Sequence, residues 1–198
     1  MTSGRLEAFS DGVIAIIITI TMLELRAPLS ADLEALKPLA PVFLSYVLSF
    51  VFLGIYWNNH HHLMQAVGHV TGGTLWANLH LLFWLSLIPF VTSWMGETAL
   101  APQPVAAYGL VLLGAAVAYF VLVRVLVRSH GRDSALGQAI GRDWKGKASV
   151  LVYVVAIPVA FLSSWLACAL YFLVAAMWIY PDPRMERALG APEKPDSS

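Results

Sequence analysis

The chain has 198 residues, 59% of them hydrophobic and only 12% charged, and its twelve basic and twelve acidic side chains cancel to zero net charge. Soluble domains carry about a quarter charged residues, so this composition excludes a globular enzyme held by one anchor and defines an integral membrane protein. The single cysteine, Cys168, excludes an internal disulfide and reads as a small packing residue in an apolar run.

The first span, residues 5–25, reads RLEAFSDGVIAIIITITMLEL. A helix of roughly 20 residues rises about 30 Å, enough to cross a bilayer. Asp11 stands one turn before the isoleucines, with Arg5, Glu7 and Ser10 close by. An ionised side chain at that depth is costly unless paired or hydrated. Such a span faces protein or water rather than lipid, which makes it the first candidate for an ion pathway. Arg5 before an apolar run loosely fits a signal peptide. Glu7 and Asp11 interrupt that pattern, however, and Glu24-Leu25-Arg26 is a poor cleavage site, so the helix is expected to be retained.

Spacings of three and four place Gly12, Ile16, Thr19 and Leu23 in one row, with Ile20 beside them and Ile14, Ile18 and Leu25 opposite. Two readings stand open. The row is lipid or helix contact, with Thr19 bonded back to a carbonyl one turn earlier. Alternatively it is a pore wall, repeated around an axis by symmetric copies of the chain. A ring of Ile16 would then form a hydrophobic constriction that conducts only when wetted. A ring of Thr19 hydroxyls would replace part of an ion's hydration shell. No TVGYG-like filter segment occurs.

The second span, about residues 39–67, ends in Tyr56-Trp57-Asn58-Asn59-His60-His61-His62. Consecutive histidines on a helix point about 100 degrees apart, so these three do not chelate one metal and no metal site is expected. They read either as wet interfacial side chains beside Tyr56 and Trp57 or as partners of Asp11. In the second case an imidazole or the Trp57 indole would donate to the carboxylate, at a site able to respond to pH. The third span, 75–95, carries Asn78 and His80, both expected to bond between helices at the depth of Ser10 and Asp11. Ser86 and Pro89 are expected to bend it. In the fourth span, 105–127, Gly109 and Gly114 read as close-packing residues, and Arg124 can snorkel to the interface.

The last apolar run, 148–180, is too long for one crossing. Arg124, Arg128, Arg132, Arg142, Lys145 and Lys147 precede or open it, and Arg184, Arg187 and Lys194 follow it. Both clusters belong on the cytoplasmic side, so an even number of spans separates them. A hairpin of 148–162 and 164–180 results, broken near Pro158 or Ser163-Ser164. The expected architecture is an all-α membrane protein with six transmembrane helices in residues 1–181, both termini cytoplasmic, and a polar tail over 182–198 expected to be disordered. No inverted repeat is visible. No paired carboxylates or nucleophile with base lie at spanning depth, so no enzyme chemistry is expected.

These residues resemble the prokaryotic members of the transmembrane protein 175 family of potassium channels. The family's Arg-x-x-x-Phe-Ser-Asp hallmark stands here as Arg5, Phe9, Ser10 and Asp11, followed by Gly12-Val13-Ile14-Ala15-Ile16 and Thr19. Its Tyr-Trp-x-x-His-His element is Tyr56, Trp57, His60 and His61. The third helix resembles the family through Asn78-Leu79, Leu82-Phe83, Ser86-Leu87 and Pro89-Phe90. The resemblance implies a homotetramer in the prokaryotic inner membrane, with four first helices around a central pore that prefers potassium. It implies Ile16 as the main constriction, Thr19 as a polar ring and Leu23 as the outer ring, with potassium ions near Ile16 and Thr19; Ile20 on the pore face and a third histidine, His62, are mild departures from the family pattern. The Phe-Ser-Asp motif would lock helix one to its neighbours through Trp57, His60 or His61, and Asn78. Membrane lipids are the other expected partners, with no cofactor, nucleic acid or small-molecule substrate. The rival expectation is a proton-conducting or proton-coupled transporter that uses Asp11 with His60, His61 and His62 as a relay.

Overall fold

The computed structural model describes residues 2–28, 30–131 and 144–179. Among them the chain forms helices α1 (Ser3–Leu23), a 3-10 helix (Leu33–Leu39), α2 (Ala40–Gln65), α3 (Gly72–Ser86), α4 (Ile88–Glu97), α5 (Pro102–His130), α6 (Trp144–Val159) and α7 (Ser164–Ile179). The segments 3–23, 33–65, 72–97 and 102–130 are each long and apolar enough to cross a bilayer. Helices α6 and α7 have 16 residues each, about 24 Å of rise, and make the short hairpin that completes six crossings.

Helices α3 and α4 form one crossing broken at Leu87. The cause is Pro89, which has no N–H to give the carbonyl of Leu85 and whose ring crowds it. Leu87 N bonds Trp84 O instead (3.2 Å), and Ser86 turns its hydroxyl back to Phe83 O (2.7 Å). The turn from α4 into α5 is tight. Ala99 and Leu100 both take positive φ (50° and 61°), and Leu100 N reaches back to Met95 O at 2.9 Å. Between α6 and α7 the chain breaks over residues 160–163, just past Pro158, and Ser163 Oγ accepts the N–H of Leu166 to open α7.

Helix α5 is the centre of the bundle. Tyr108, Leu112, Ala115, Ala118, Leu122 and Leu126 are wholly buried at spacings of three and four, packed on α3, α4, α6 and α7. Its two glycines are close-approach sites. A Cβ on Gly114 would run into the Trp84 indole, and one on Gly109 would meet the Tyr171 hydroxyl, which donates to Val105 O (3.1 Å). A buried hydroxyl cluster ties α2, α4 and α5 together, toward the end of the bundle where α4 turns into α5. Ser49 Oγ lies 2.6 Å from Thr92 Oγ1 and 3.0 Å from the Tyr108 hydroxyl. In hydrocarbon such groups must satisfy one another or the backbone.

One end of the bundle gathers the start of α1, the end of α2, the start of α3, the end of α5 and the start of α6. There His130 clasps the α2–α3 loop. Its Nδ1 faces Leu126 O (3.0 Å), an acceptor only, so Nδ1 carries the proton and Nε2 accepts from Gly68 N (3.2 Å) and His69 N (3.4 Å). The His69 ring stacks on it, with centroids 4.3 Å apart. Arg124, Arg128, Lys145 and Lys147 stand at this end, and Arg26 and Lys37 fall at the other. Arg132, Arg142, Arg184, Arg187, Lys194 and the tail 182–198 lie outside the described residues.

Candidate functional site

Helix α1 has one face in the protein and one face bare. Leu6, Ser10, Ile14, Ile17 and Thr21 are buried against α2, α3 and α4. Ile14 and Ile17 retain 1% and 3% of their surface, whereas Ile16, Ile20 and Leu23 expose 60%, 43% and 70%. Gly12 and Thr19 share that open face. Ile18 is partly buried, and Leu25 lies past the end of the helix at Leu23.

Thr19 donates its hydroxyl proton to Ala15 O (2.9 Å). That bond consumes the proton and leaves the oxygen lone pairs turned outward, the polarity a cation requires. Alongside α1 runs a groove of about 800 Å³ lined by Ile16, Ile20, Phe90 and Trp94, with Glu24 and Glu97 at its end opposite the basic end of the bundle. Ser93 Oγ donates to Glu24 Oε2 at 3.0 Å. Sequence reasoning passed over both carboxylates, since each stands alone at a helix end and only the pairing of α1 with α4 brings them together.

The motif at the start of α1 divides into residues that join α2 and α3 and residues that do not. Ser10 Oγ–H goes to Leu6 O (2.8 Å), so Ser10 can only accept from Asn78 Nδ2 (2.9 Å). Asn78 must then turn Oδ1 toward His60, whose Nε2 donates at 2.7 Å. One orientation gives each of these contacts one donor and one acceptor, and all three side chains are wholly buried. His61 faces the other way. Its Nδ1 donates to Glu7 Oε1 (2.7 Å) while Gln65 Nε2 donates to His61 Nε2 (2.9 Å), and the Trp57 ring stacks on it at 6.0 Å. The pairing of Glu7 with His61 is not legible in the sequence because it depends on how α1 and α2 are rotated about each other.

Among the described residues Asp11 receives no donor from Trp57 or the histidines, so of the two readings the sequence left open for the histidines the pairing with Asp11 is not seen. Its Oδ1 is buried without a hydrogen bond, as are His60 Nδ1 and His62 Nδ1. Arg5, Phe9 and Trp57 point outward from the subunit. His80 also differs from expectation: it accepts from Trp84 Nε1 (3.1 Å) on its own helix rather than bonding between helices. Among the described residues no cluster of three or more His, Cys, Asp or Glu is arranged to hold a metal.

An all-helical membrane subunit with a bare face on its first helix has the form that a channel-forming bundle requires. Comparison with known proteins narrows the class. The sequence model described as Endosomal/lysosomal potassium channel TMEM175 matches residues 5–89. A protein of Chryseobacterium sp. (strain P1-3) named a potassium channel is 51% identical over 189 residues, covering 96% of this chain and 98% of its own. The chicken protein named Endosomal/lysosomal proton channel TMEM175 is 36% identical over 83 residues, covering 36% of this chain and 17% of its own. The crystal structure of a lysosomal potassium-selective channel TMEM175 homolog from Chamaesiphon minutus superposes with a TM-score of 0.75, at 27% identity, over 96% of this chain and 98% of that one. The chain belongs to the TMEM175 family, which is a family of ion channels and not of enzymes.

Proposed function

We propose that the protein is a potassium-selective channel whose pore is lined by α1 from each subunit of a homotetramer. The observation that carries this reading is the bare face of α1. A membrane helix that buries Leu6, Ser10, Ile14, Ile17 and Thr21 in its own subunit turns Gly12, Ile16, Thr19, Ile20 and Leu23 away from it. Copies arranged about an axis would convert that column into rings. Ile16 forms the constriction, too narrow and apolar to hold water at rest. Thr19 supplies a ring of outward lone pairs, and Leu23 closes the outer end. Glu24 and Glu97 raise the local cation concentration at that mouth. The buried Asp11 Oδ1 and the uncovered Phe9 and Trp57 of the same motifs fit a subunit interface and not the pathway. The bacterial relatives and the basic residues at one end support placement in a prokaryotic plasma membrane with both termini cytoplasmic. Passive permeation of this kind requires no cofactor.

A proton pathway through Asp11 and the histidines is the second reading. It is favoured by the unpartnered Asp11 Oδ1 and His60 Nδ1 and by the name of the chicken relative. The chain from His60 through Asn78 to Ser10 ends on the Leu6 carbonyl, which cannot pass a proton onward, so the channel reading stands first.

The test is potassium flux from proteoliposomes, with sodium as competitor, for wild type, Ile16→Ala and Thr19→Ala. Unsaturated flux favouring potassium, faster or less selective in both variants, is expected. Flux that saturates, requires a proton gradient and ignores both substitutions would transfer the pathway to Asp11.

A further inference from the structure

Away from α1, a cavity of about 420 Å³ opens between α2, α5, α6 and the end of α7. Its walls are hydrocarbon and ring: Phe52, Ile55, Val117, Phe120, Tyr153 and Trp178. Three of its polar side chains are engaged with the protein, Tyr119 donating its hydroxyl to Asn59 O, while the Tyr56 and Tyr153 hydroxyls also stand in the wall. Asn59 Nδ2 donates to Ile55 O, and Ser149 Oγ donates to Lys145 O and accepts from Trp178 Nε1. Hydrocarbon nonetheless dominates the wall, which suits an apolar chain better than ordered water with its two to four polar partners.

The rim is cationic. Lys147 lines the cavity. The Arg124 guanidinium lies 4.5 Å from the centroid of the Phe120 ring, and the Lys145 ammonium 5.8 Å from that of Trp178. Each of these aromatic rings is itself part of the cavity wall, which puts both cations next to the cavity, with Lys147 in the lining itself. No described lining residue is a carboxylate. From Arg124 to Ala116, the deepest lining residue on α5, is about 12 Å of helix rise. One leaflet of a hydrocarbon core about 30 Å thick is little deeper than that. An apolar slot nearly one leaflet deep, beneath cations at headgroup level, matches a lipid in both its parts.

We propose that this cavity is a binding site for one anionic phospholipid per subunit, an acyl chain filling the slot and the phosphate resting against Arg124 and Lys147. The site shares no residue with α1 and does not depend on the ion pathway. Basic residues near a membrane surface each strengthen anionic lipid binding by about fivefold, so the two together contribute about 25-fold.

The full-length protein in detergent, equilibrated with phosphatidylglycerol, with phosphatidylcholine of the same chains, or with inorganic phosphate, tests this by native mass spectrometry. One phosphatidylglycerol per subunit should be retained in preference to phosphatidylcholine, and excess phosphate should not displace it. Arg124→Gln with Lys147→Gln should cut retention about 25-fold, and Val117→Trp, which fills the slot, should abolish it. Equal retention of the two lipids, displacement by phosphate alone, or full retention by the charge-neutralised pair would overturn the proposal. Arg124 and Lys147 are exposed, so that pair decides the matter even if Val117→Trp fails to fold.

Discussion

Replacing Asn78 by alanine removes the hinge of the only three-residue polar chain that crosses from α1 through α3 to α2 among the described residues. Two interhelical hydrogen bonds disappear, at 2.7 Å and 2.9 Å. Such bonds in membrane bundles average about 0.6 kcal/mol. The larger loss is His60 Nε2–H, left fully buried with no acceptor, at about 1–3 kcal/mol. Asn78→Ala should therefore destabilise the subunit by about 2–4 kcal/mol. Ser10→Ala, which takes one acceptor from Asn78 and leaves His60 satisfied, should cost about 1 kcal/mol. The two substitutions share a bond, so in the double mutant their effects should fall short of additivity by about 0.6–1.7 kcal/mol. Equilibrium unfolding in mixed dodecylmaltoside and dodecyl sulfate micelles measures all three, with the exposed neighbour Leu79→Ala as control. Strict additivity, or an Asn78→Ala loss no larger than that of Leu79→Ala, would refute the inferred hydrogen-bond chain.

Other substitutions test other parts of the bundle. Ala99→Gly should raise stability by about 0.5–1 kcal/mol, because a positive φ costs a residue with a Cβ about 1–2 kcal/mol and glycine's extra unfolded-state freedom returns only part of that. Leu100→Gly should do the reverse, losing about 2 kcal/mol or more, since that side chain is buried; both are read by the same unfolding assay. Gly114→Val should displace the Trp84 indole and cost about 1–3 kcal/mol, with a shift in tryptophan emission, while Gly54→Ala, which meets nothing within 4 Å, should leave emission unchanged. His130→Ala should free the Gly68 and His69 amides, seen as hydrogen exchange about fivefold faster at those two positions and unchanged in α2.

Legibility in the sequence followed the range of the interactions. Hydropathy over about 20 residues marks each crossing because burial of a whole helix is a bulk property. Pro89 signals the break at Leu87 because its effect reaches only one turn. Ser10 and Asn78 were legible as partners because polar groups at equal depth in hydrocarbon have few alternatives. Pairings that depend on helix rotation were not. Asp11 drew attention as the deepest carboxylate of the motif, yet Glu7, one turn nearer the end, meets His61. His80 looked like an interhelical donor and instead bonds four residues along its own helix. His130 gave no signal at all, since a lone histidine at a helix end looks the same whether it is solvated or holds a loop. The cationic slot was equally hidden: Arg124 sat four residues from Phe120 in plain view, but Lys147 and Trp178 join them only in the folded bundle.

Cysteine accessibility tests the bare face of α1 most directly. In a background with Cys168→Ser, single cysteines are placed at Ile16, Thr19 and Leu23 and at the buried Ile14, Ile17 and Thr21. A charged methanethiosulfonate reagent is then applied while potassium current is recorded. Block is expected at Leu23, Thr19 and Ile16 and none at the buried three. Current that ignores reagent at the first set, or is blocked through Ile14 or Thr21, would contradict a pore lined by this face.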